Sequence, residues 1–382
     1  MTGSGPVTKD SGSAVRILHI TFNMGIGGTE QVIRQLVCSL PAHRFSNTIL
    51  CIDGQVGEIG QQVRAQGVNV MSVKRSPGLD FNLVRAIRKI IRETGADLVH
   101  CHQYTPWVYG WLGSRGTKAR VVFTEHGRFH PDRFRFKAML INPVMALATN
   151  AIVAISDATR SALSRYEFIP KSRIRVIYNG ISGFNRTSCS ADSVRQELDI
   201  SADHFVIGTV ARLDPIKNQE MMLIALPHIL KHCPDICLMI VGDGPDRGKL
   251  ERRAIELGVQ KNVRFTGFRP HPADYLAAMD LFLLTSHTEG TSMTLLEAMS
   301  LGVPSVVTAV GGNPEIVQQD KTGILIPAGD SKALAASVVR LYREPVELQA
   351  MRVRCERLFS ERFSIKPMIL EYQNLYSRVL KG

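Results

Sequence analysis

Aromatic residues make up only 7% of this 382-residue chain, and just two are tryptophan. Long apolar runs are missing too. The longest, 143–155, is too short to span a bilayer and is interrupted by Thr149 and Asn150. The seven cysteines form no paired framework. Cys233 and Cys237 flank a Pro-Asp turn without a second pair, so a zinc site is not indicated and a reducing compartment fits. No aromatic nucleic-acid pattern or Cys/His finger occurs, which argues against nucleic acid as a partner. The G-x-G-x-x-G spacing of nicotinamide-binding folds is absent. So is an Asp-x-Asp at a strand end, so no metal-bridged diphosphate, metal or cofactor is expected. No secretory leader is expected, and residues 1–13 read as a disordered Gly/Ser-rich tail. A cytoplasmic protein is expected.

What is present is 45% hydrophobic and 21% charged, ordinary for a soluble α/β protein of two domains. The net charge of +12 is uneven. Residues 1–190 hold 24 Lys and Arg against 11 Asp and Glu, and the rest is close to balance. A basic half of this kind suits an anionic membrane surface, so a peripheral position on the inner face is expected. The run 128–137, RFHPDRFRFK, alternates basic and aromatic residues and suits an anionic, partly apolar acceptor or a membrane interface.

Short apolar runs alternate with helical patterns throughout, which implies parallel sheets covered by helices. The expected divisions are a first domain over 14–181, a linker over 182–203, a second domain over 204–361 and a final helical segment over 362–382. Within the second domain, 281–284 reads as a buried strand, 293–300 as a helix begun by Thr291-Ser292, and 305–310 as another strand closed by Gly311-Gly312. Strand ends of this type are where open α/β sheets bind ligands. Glu289 and Glu297 stand eight positions apart around the turn. Backbone N–H groups of Thr291, Ser292 and Met293 suit a phosphate, whereas the two carboxylates suit hydroxyls, as in a nucleotide sugar. Arg212 and Lys217 follow the domain's first strand and can neutralise a diphosphate, with Gly242 at the end of the next strand. In the first domain the loop holding Gly27 and Gly28 joins a strand to a helix. His126 follows another strand, where an imidazole can bond a sugar hydroxyl or assist a proton transfer. His100 reads as core and His102 as a weaker candidate; no carboxylate spacing completes a metal site with these histidines.

Several motifs occur in one order: GIGGTE, TEHG, AISDATR, VIYNGIS, VARLDPIKN, VGDGP, EGTSMTLLEAM and the GG-x-PE-x-V turn. Together they resemble the retaining glycosyltransferases of family 4 over nearly the whole chain from Val15. The resemblance implies the α/β GT-B fold, two Rossmann-like domains facing across a cleft, with the last helix returning to the first. It implies transfer of a hexose-type sugar from a nucleoside-diphosphate sugar to a glycan or lipid-linked acceptor, in surface polysaccharide or lipopolysaccharide synthesis. By position, Arg212 and Lys217 match the pair at the donor diphosphate, Glu297 the ribose ligand and Glu289 the residue at the transferred sugar. His126 matches a histidine contacting that sugar, and Gly27 and Gly28 a loop near phosphates and acceptor. Thr291-Ser292-Met293 departs from the commoner Phe-Gly-Leu type. A phosphorylase or sucrose-synthase-like enzyme, or a non-catalytic sugar- or lipid-binding relative, would share the fold.

Overall fold

The computed structural model describes residues 14–127 and 138–382. The tail 1–13 and the basic–aromatic run 128–137 lie outside the described residues. The chain divides into two units, one of Met1–Gly180 with Ile365–Gly382 and one of Ile181–Ser364.

The first unit is built on β1 (Val15–Thr21), β2 (Phe45–Cys51), β3 (Asn69–Ser72), β4 (Leu98–His102), β5 (Arg120–Glu125), β6 (Ala151–Ala154) and β7 (Ile174–Val176). They form one sheet in the order β3-β2-β1-β4-β5-β6-β7, and the pairings are parallel. The second unit holds β8 (Phe205–Val210), β9 (Ile236–Val241), β10 (Val263–Gly267), β11 (Leu281–Leu284), β12 (Ser305–Thr308) and β13 (Gly323–Ile326). Their order is β10-β9-β8-β11-β12-β13, again parallel. Both are doubly wound, with the strand order reversing between β1 and β4 and between β8 and β11. Loops leaving the C-terminal ends of those strands flank the natural crevice of each sheet.

Strands covered on both faces need continuous apolar sequence, and β9 is buried at all six positions. Covering helices are one-sided. In Phe81–Thr94 the buried positions Leu83, Val84, Ile87, Ile90 and Ile91 follow helical spacing. Asp80 caps its first turn by accepting from the N–H of Asn82 and Leu83, and Gly95 ends it in a left-handed conformation.

Two helices were not visible as such in the sequence. Tyr104–Ser114 is apolar nearly all round, so it carries no one-sided signature. Ala138–Leu147 occupies the start of the apolar stretch 143–155, and β6 occupies its end. The break falls at Thr149-Asn150, where both side chains serve neighbouring elements: Trp107 Nε1 of the helix Tyr104–Ser114 donates to Thr149 Oγ1, and Asn150 Oδ1 accepts from the N–H of Val121 in β5. Residues 182–203 hold the short helix Ala191–Glu197 and pack within the second unit. There Arg186 donates to the carbonyls of Leu301 and Ala277, and Arg195 pairs with Asp280.

The helix Ile365–Lys381 completes the first unit, burying Tyr372 and Tyr376. The Tyr376 hydroxyl lies 2.8 Å from His100 Nδ1, and the Tyr372 hydroxyl 3.2 Å from Thr124 Oγ1. Among the described residues no helix is long and apolar enough to cross a membrane.

Candidate active site

Three loops meet at the C-terminal edge of the second sheet, after the neighbouring strands β8, β11 and β12. They are tied by hydrogen bonds that leave little freedom. The N–H of His287 donates to the carbonyl of Ile216, and Thr285 Oγ1 donates to that of Asn218 at 2.8 Å. Thr308 Oγ1 donates to the carbonyl of Ser286 at 2.7 Å, and Gly312 N–H to that of Gly290. Gly311, at φ +52°, sits so close behind Glu289 that a Cβ there would overlap the Glu289 carbonyl oxygen. Gly311 is therefore a packing requirement of the acidic turn.

That turn presents the two carboxyls differently. The Glu289 side chain is 7% exposed, and its Oε1 accepts from Lys217 Nζ at 2.7 Å and from Ser286 Oγ at 2.6 Å. Lys217 and Glu289, picked from separate stretches of sequence, thus form one partly buried ion pair. Arg212 does not join them. Its side chain is 73% exposed and only approaches Asp214, at 3.9 Å. Glu297 lies on the helix Met293–Ser300, and its carboxyl makes no hydrogen bond among the described residues. Burial without a compensating partner pushes its carboxyl up to about 7.

Ser292 is the cap of that helix, its Oγ accepting from the N–H of Leu295. Met293 is the first helical residue, and Thr291 precedes the cap. Gly242 is accounted for locally: its N–H donates to the carbonyl of Gly267, and a Cβ would overlap the carbonyl oxygen of Ala211.

In the first unit, Gly27 precedes the helix Gly28–Ser39 in extended conformation. A Cβ on Gly27 would meet the carboxyl of Glu30, which burial holds above the usual range. Any anion at this loop would have that carboxyl for a neighbour. His126 follows β5. Its Nε2 lies 2.9 Å from His102 Nδ1, and its own Nδ1 is buried without a hydrogen-bond partner among the described residues. Burial holds its imidazole down to about 3, so it is neutral near pH 7.

Sequence reasoning missed Ser286, His19 and Asn47. The last two line up behind His102, with His19 Nδ1 3.1 Å from His102 Nε2 and His19 Nε2 3.1 Å from Asn47 Oδ1. The readable signal was alternation, since His19 and His100 each lie two residues from the end of one of two adjacent strands, and they are register partners. Ligating nitrogens of His19, His100 and His102 come within 4.8 Å of one another. Yet all six ring nitrogens have hydrogen-bond partners, which a metal would have to displace.

Two doubly wound units, with charged and hydroxyl side chains gathered where the second sheet's order reverses, define a GT-B glycosyltransferase. Residues 204–344 match the family model of the group 1 glycosyl transferases, and 26–182 that of glycosyltransferase family 4. The chain belongs to the family-4 type of GT-B glycosyltransferases and is a transferase of glycosyl groups. It is 25% identical to the UDP-Gal:alpha-D-GlcNAc-diphosphoundecaprenol alpha-1,3-galactosyltransferase of Escherichia coli, over 96% of this chain and 98% of that one. It is 38% identical to the GDP-mannose-dependent alpha-(1-6)-phosphatidylinositol monomannoside mannosyltransferase of Mycolicibacterium smegmatis, over 64% and 66%. Among solved structures it is similar to Anabaena HepE in complex with UDP, at a TM-score of 0.83 and 22% identity over 96% and 100%. The expected fold is therefore found, and the enzyme is related to those of lipid-linked and polysaccharide synthesis.

Proposed function

We propose that the chain is a retaining glycosyltransferase that moves a hexose-type sugar from a nucleoside-diphosphate sugar to a hydroxyl of a glycan or lipid-linked acceptor. The observation that carries this is the edge after β8 and β11. It offers two cations, Lys217 and Arg212, an ionic carboxylate at Glu289 and a second carboxyl at Glu297. Cations at a strand end stabilise charge on a departing diphosphate, and carboxyls accept from ribose and sugar hydroxyls. The reading gives Glu297 the ribose, Glu289 the transferred sugar, and Lys217 with Arg212 the diphosphate. Transfer then proceeds by attack of the acceptor hydroxyl at the anomeric carbon on the face the leaving group vacates, the leaving phosphate taking the proton. No metal is assigned a part. The UDP complex of HepE and the diphosphoundecaprenol in the Escherichia coli enzyme's name support this donor and acceptor chemistry.

A surface feature bears on the acceptor. The helix Ala138–Leu147 leaves Met139, Leu140, Ile141, Val144 and Leu147 exposed, in the half that holds the excess positive charge. On this reading that helix rests on an anionic membrane, from which a lipid-linked acceptor is drawn.

The test is a screen of UDP-, GDP- and ADP-sugars for hydrolysis without acceptor, run on the parent chain and on Glu297→Ala. One donor class turned over by the parent, with its apparent affinity lowered in the variant, is expected. Equal activity of the two proteins on every donor would remove Glu297 from the site.

A further inference from the structure

A neutral imidazole carries one proton, so it donates through one ring nitrogen and accepts through the other. A chain of neutral imidazoles therefore has a direction, and whatever stands at one end fixes the group presented at the other. The first sheet contains such a chain across the reversal of its strand order. Asn47 on β2, His19 on β1, His102 at the end of β4 and His126 after β5 follow one another at 3.1, 3.1 and 2.9 Å. Burial holds His19 down to about 4 and His102 well below its ordinary value, so with His126 all three are neutral near pH 7.

The direction is set at Asn47. Its Nδ2 lies 3.2 Å from the backbone carbonyl of Val37, which can only accept. Nδ2 must be the amide end there, so Oδ1 faces His19 as an acceptor. His19 consequently donates through Nε2 and accepts through Nδ1. His102 then donates through Nε2 to His19 and accepts through Nδ1. His126 donates through Nε2 to His102, and its Nδ1 is left as a bare lone pair, buried and without a partner among the described residues. His100 stands outside this chain, since its neighbours Tyr376 and Thr124 are hydroxyls that serve either way.

We propose that Asn47, His19 and His102 are positioning residues that lock His126 in its Nε2–H tautomer, so that Nδ1 accepts a hydrogen bond from a substrate hydroxyl. His126 then discriminates. It takes a hydroxyl or amine that donates, and it disfavours a deoxy, keto or ether group at the same place, which would leave the nitrogen unpaired. It does not act as an acid. The substrate part rests on the reading of the chain as a glycosyltransferase; the tautomer part does not.

The experiment is long-range proton–nitrogen NMR on the full chain labelled with ¹⁵N-histidine, without ligand. His19, His102 and His126 should each show a protonated, pyrrole-type Nε2 and a pyridine-type Nδ1. In Asn47→Leu the anchor is gone, and the His126 nitrogens should move toward averaged values, with the loss of the His19 and Val37 partners lowering thermal stability but leaving the chain folded. A protonated Nδ1 at His126 in the parent overturns the proposal, as do unchanged His126 shifts in a folded Asn47→Leu. If that variant does not fold, the parent spectrum alone decides. Kinetics supply the second arm. Among singly deoxygenated forms of an active donor sugar or acceptor, one should lose about tenfold or more in kcat/KM with the parent and clearly less with Asn47→Leu. Equal losses in both proteins overturn the substrate part. Expected tautomers in a chain inactive on every nucleotide sugar would sink the glycosyltransferase reading and leave the tautomer assignment standing.

Discussion

Glu297 makes the unliganded second unit sensitive to pH in a direction opposite to most carboxyls. Its ordinary value is 4.5 and its folded value about 7, raised by burial. Between those limits the unfolded chain has released the proton and the folded chain keeps it. The folded state thus binds more protons, and stability falls as pH rises. The contribution is complete below about pH 4.5, declines across the window and is gone above about pH 7. At roughly 1.4 kcal/mol per unit its full size is about 3 kcal/mol. Other groups titrate in the same range, so the measurement is a difference. Glu297→Gln keeps the shape but carries no titrating proton, and its stability relative to the parent should rise by about 3 kcal/mol from pH 4.5 to 7.5. Urea unfolding at several pH values, fitted with two transitions because the chain has two units, reads this directly. A parent–variant difference that is the same at both ends of the range would refute the reasoning. Donor binding supplies a second readout. Hydroxyls donated by a ribose favour the ionised carboxylate, so binding near pH 7 should release a proton and tighten as pH rises. Calorimetry in two buffers of different ionisation heat measures that release.

Gly311→Ala places a Cβ against the Glu289 carbonyl at a left-handed φ. It should lower stability by about 3 kcal/mol, and a thermal midpoint equal to the parent's would show that the turn can yield. Lys217→Met leaves the Glu289 carboxylate, among the described residues, with the Ser286 hydroxyl alone. Because Lys217 is about a quarter exposed, the cost should be about 1–2 kcal/mol, less than for a fully buried pair. Turnover should fall more than donor affinity, and undiminished transfer would take Lys217 out of the mechanism. Anionic vesicles should pellet the chain at low salt, with Leu140→Glu several-fold weaker and high salt releasing the parent. No pelleting at low salt would count against the membrane surface.

What the sequence made legible were features carried by local pattern. β9 and β11 are unbroken apolar runs, and the helix Met293–Ser300 starts at a serine cap and stops before Gly302, so their positions followed from residues a few places apart. The pairing of Lys217 with Glu289 was not legible, because 72 residues separate them and only the adjacency of β8 and β11 brings them together. The same holds for the histidine chain. His19 and His102 are 83 residues apart and look like two core histidines until the register of β1 against β4 is known. Helices without a one-sided pattern, such as Tyr104–Ser114, also stayed hidden. Sequence pattern reports what a residue does to its own element, and side-chain partners belong to topology.

The contrast between the two glutamates bears on how a diphosphate enters. In the unliganded chain the Lys217 ammonium is already taken up by Glu289, while Arg212 is largely in solvent. An arriving diphosphate would meet Arg212 first and would then compete with Glu289 for Lys217. Part of the attraction is thereby offset, since a bond to one carboxylate is exchanged for a bond to a phosphate. Removing the competitor should tip that exchange. Glu289→Gln keeps an acceptor oxygen for Ser286 but no charge, so a bare nucleoside diphosphate should bind several-fold more tightly than to the parent. Sugar transfer should fall in the same variant, because the group proposed to sit at the transferred sugar has lost its charge. Titration with the nucleoside diphosphates beside a transfer assay separates the two effects. Weaker diphosphate binding in Glu289→Gln would mean that Glu289 orders Lys217 for the phosphate rather than withholding it. The ion pair would then be a preformed part of the donor site.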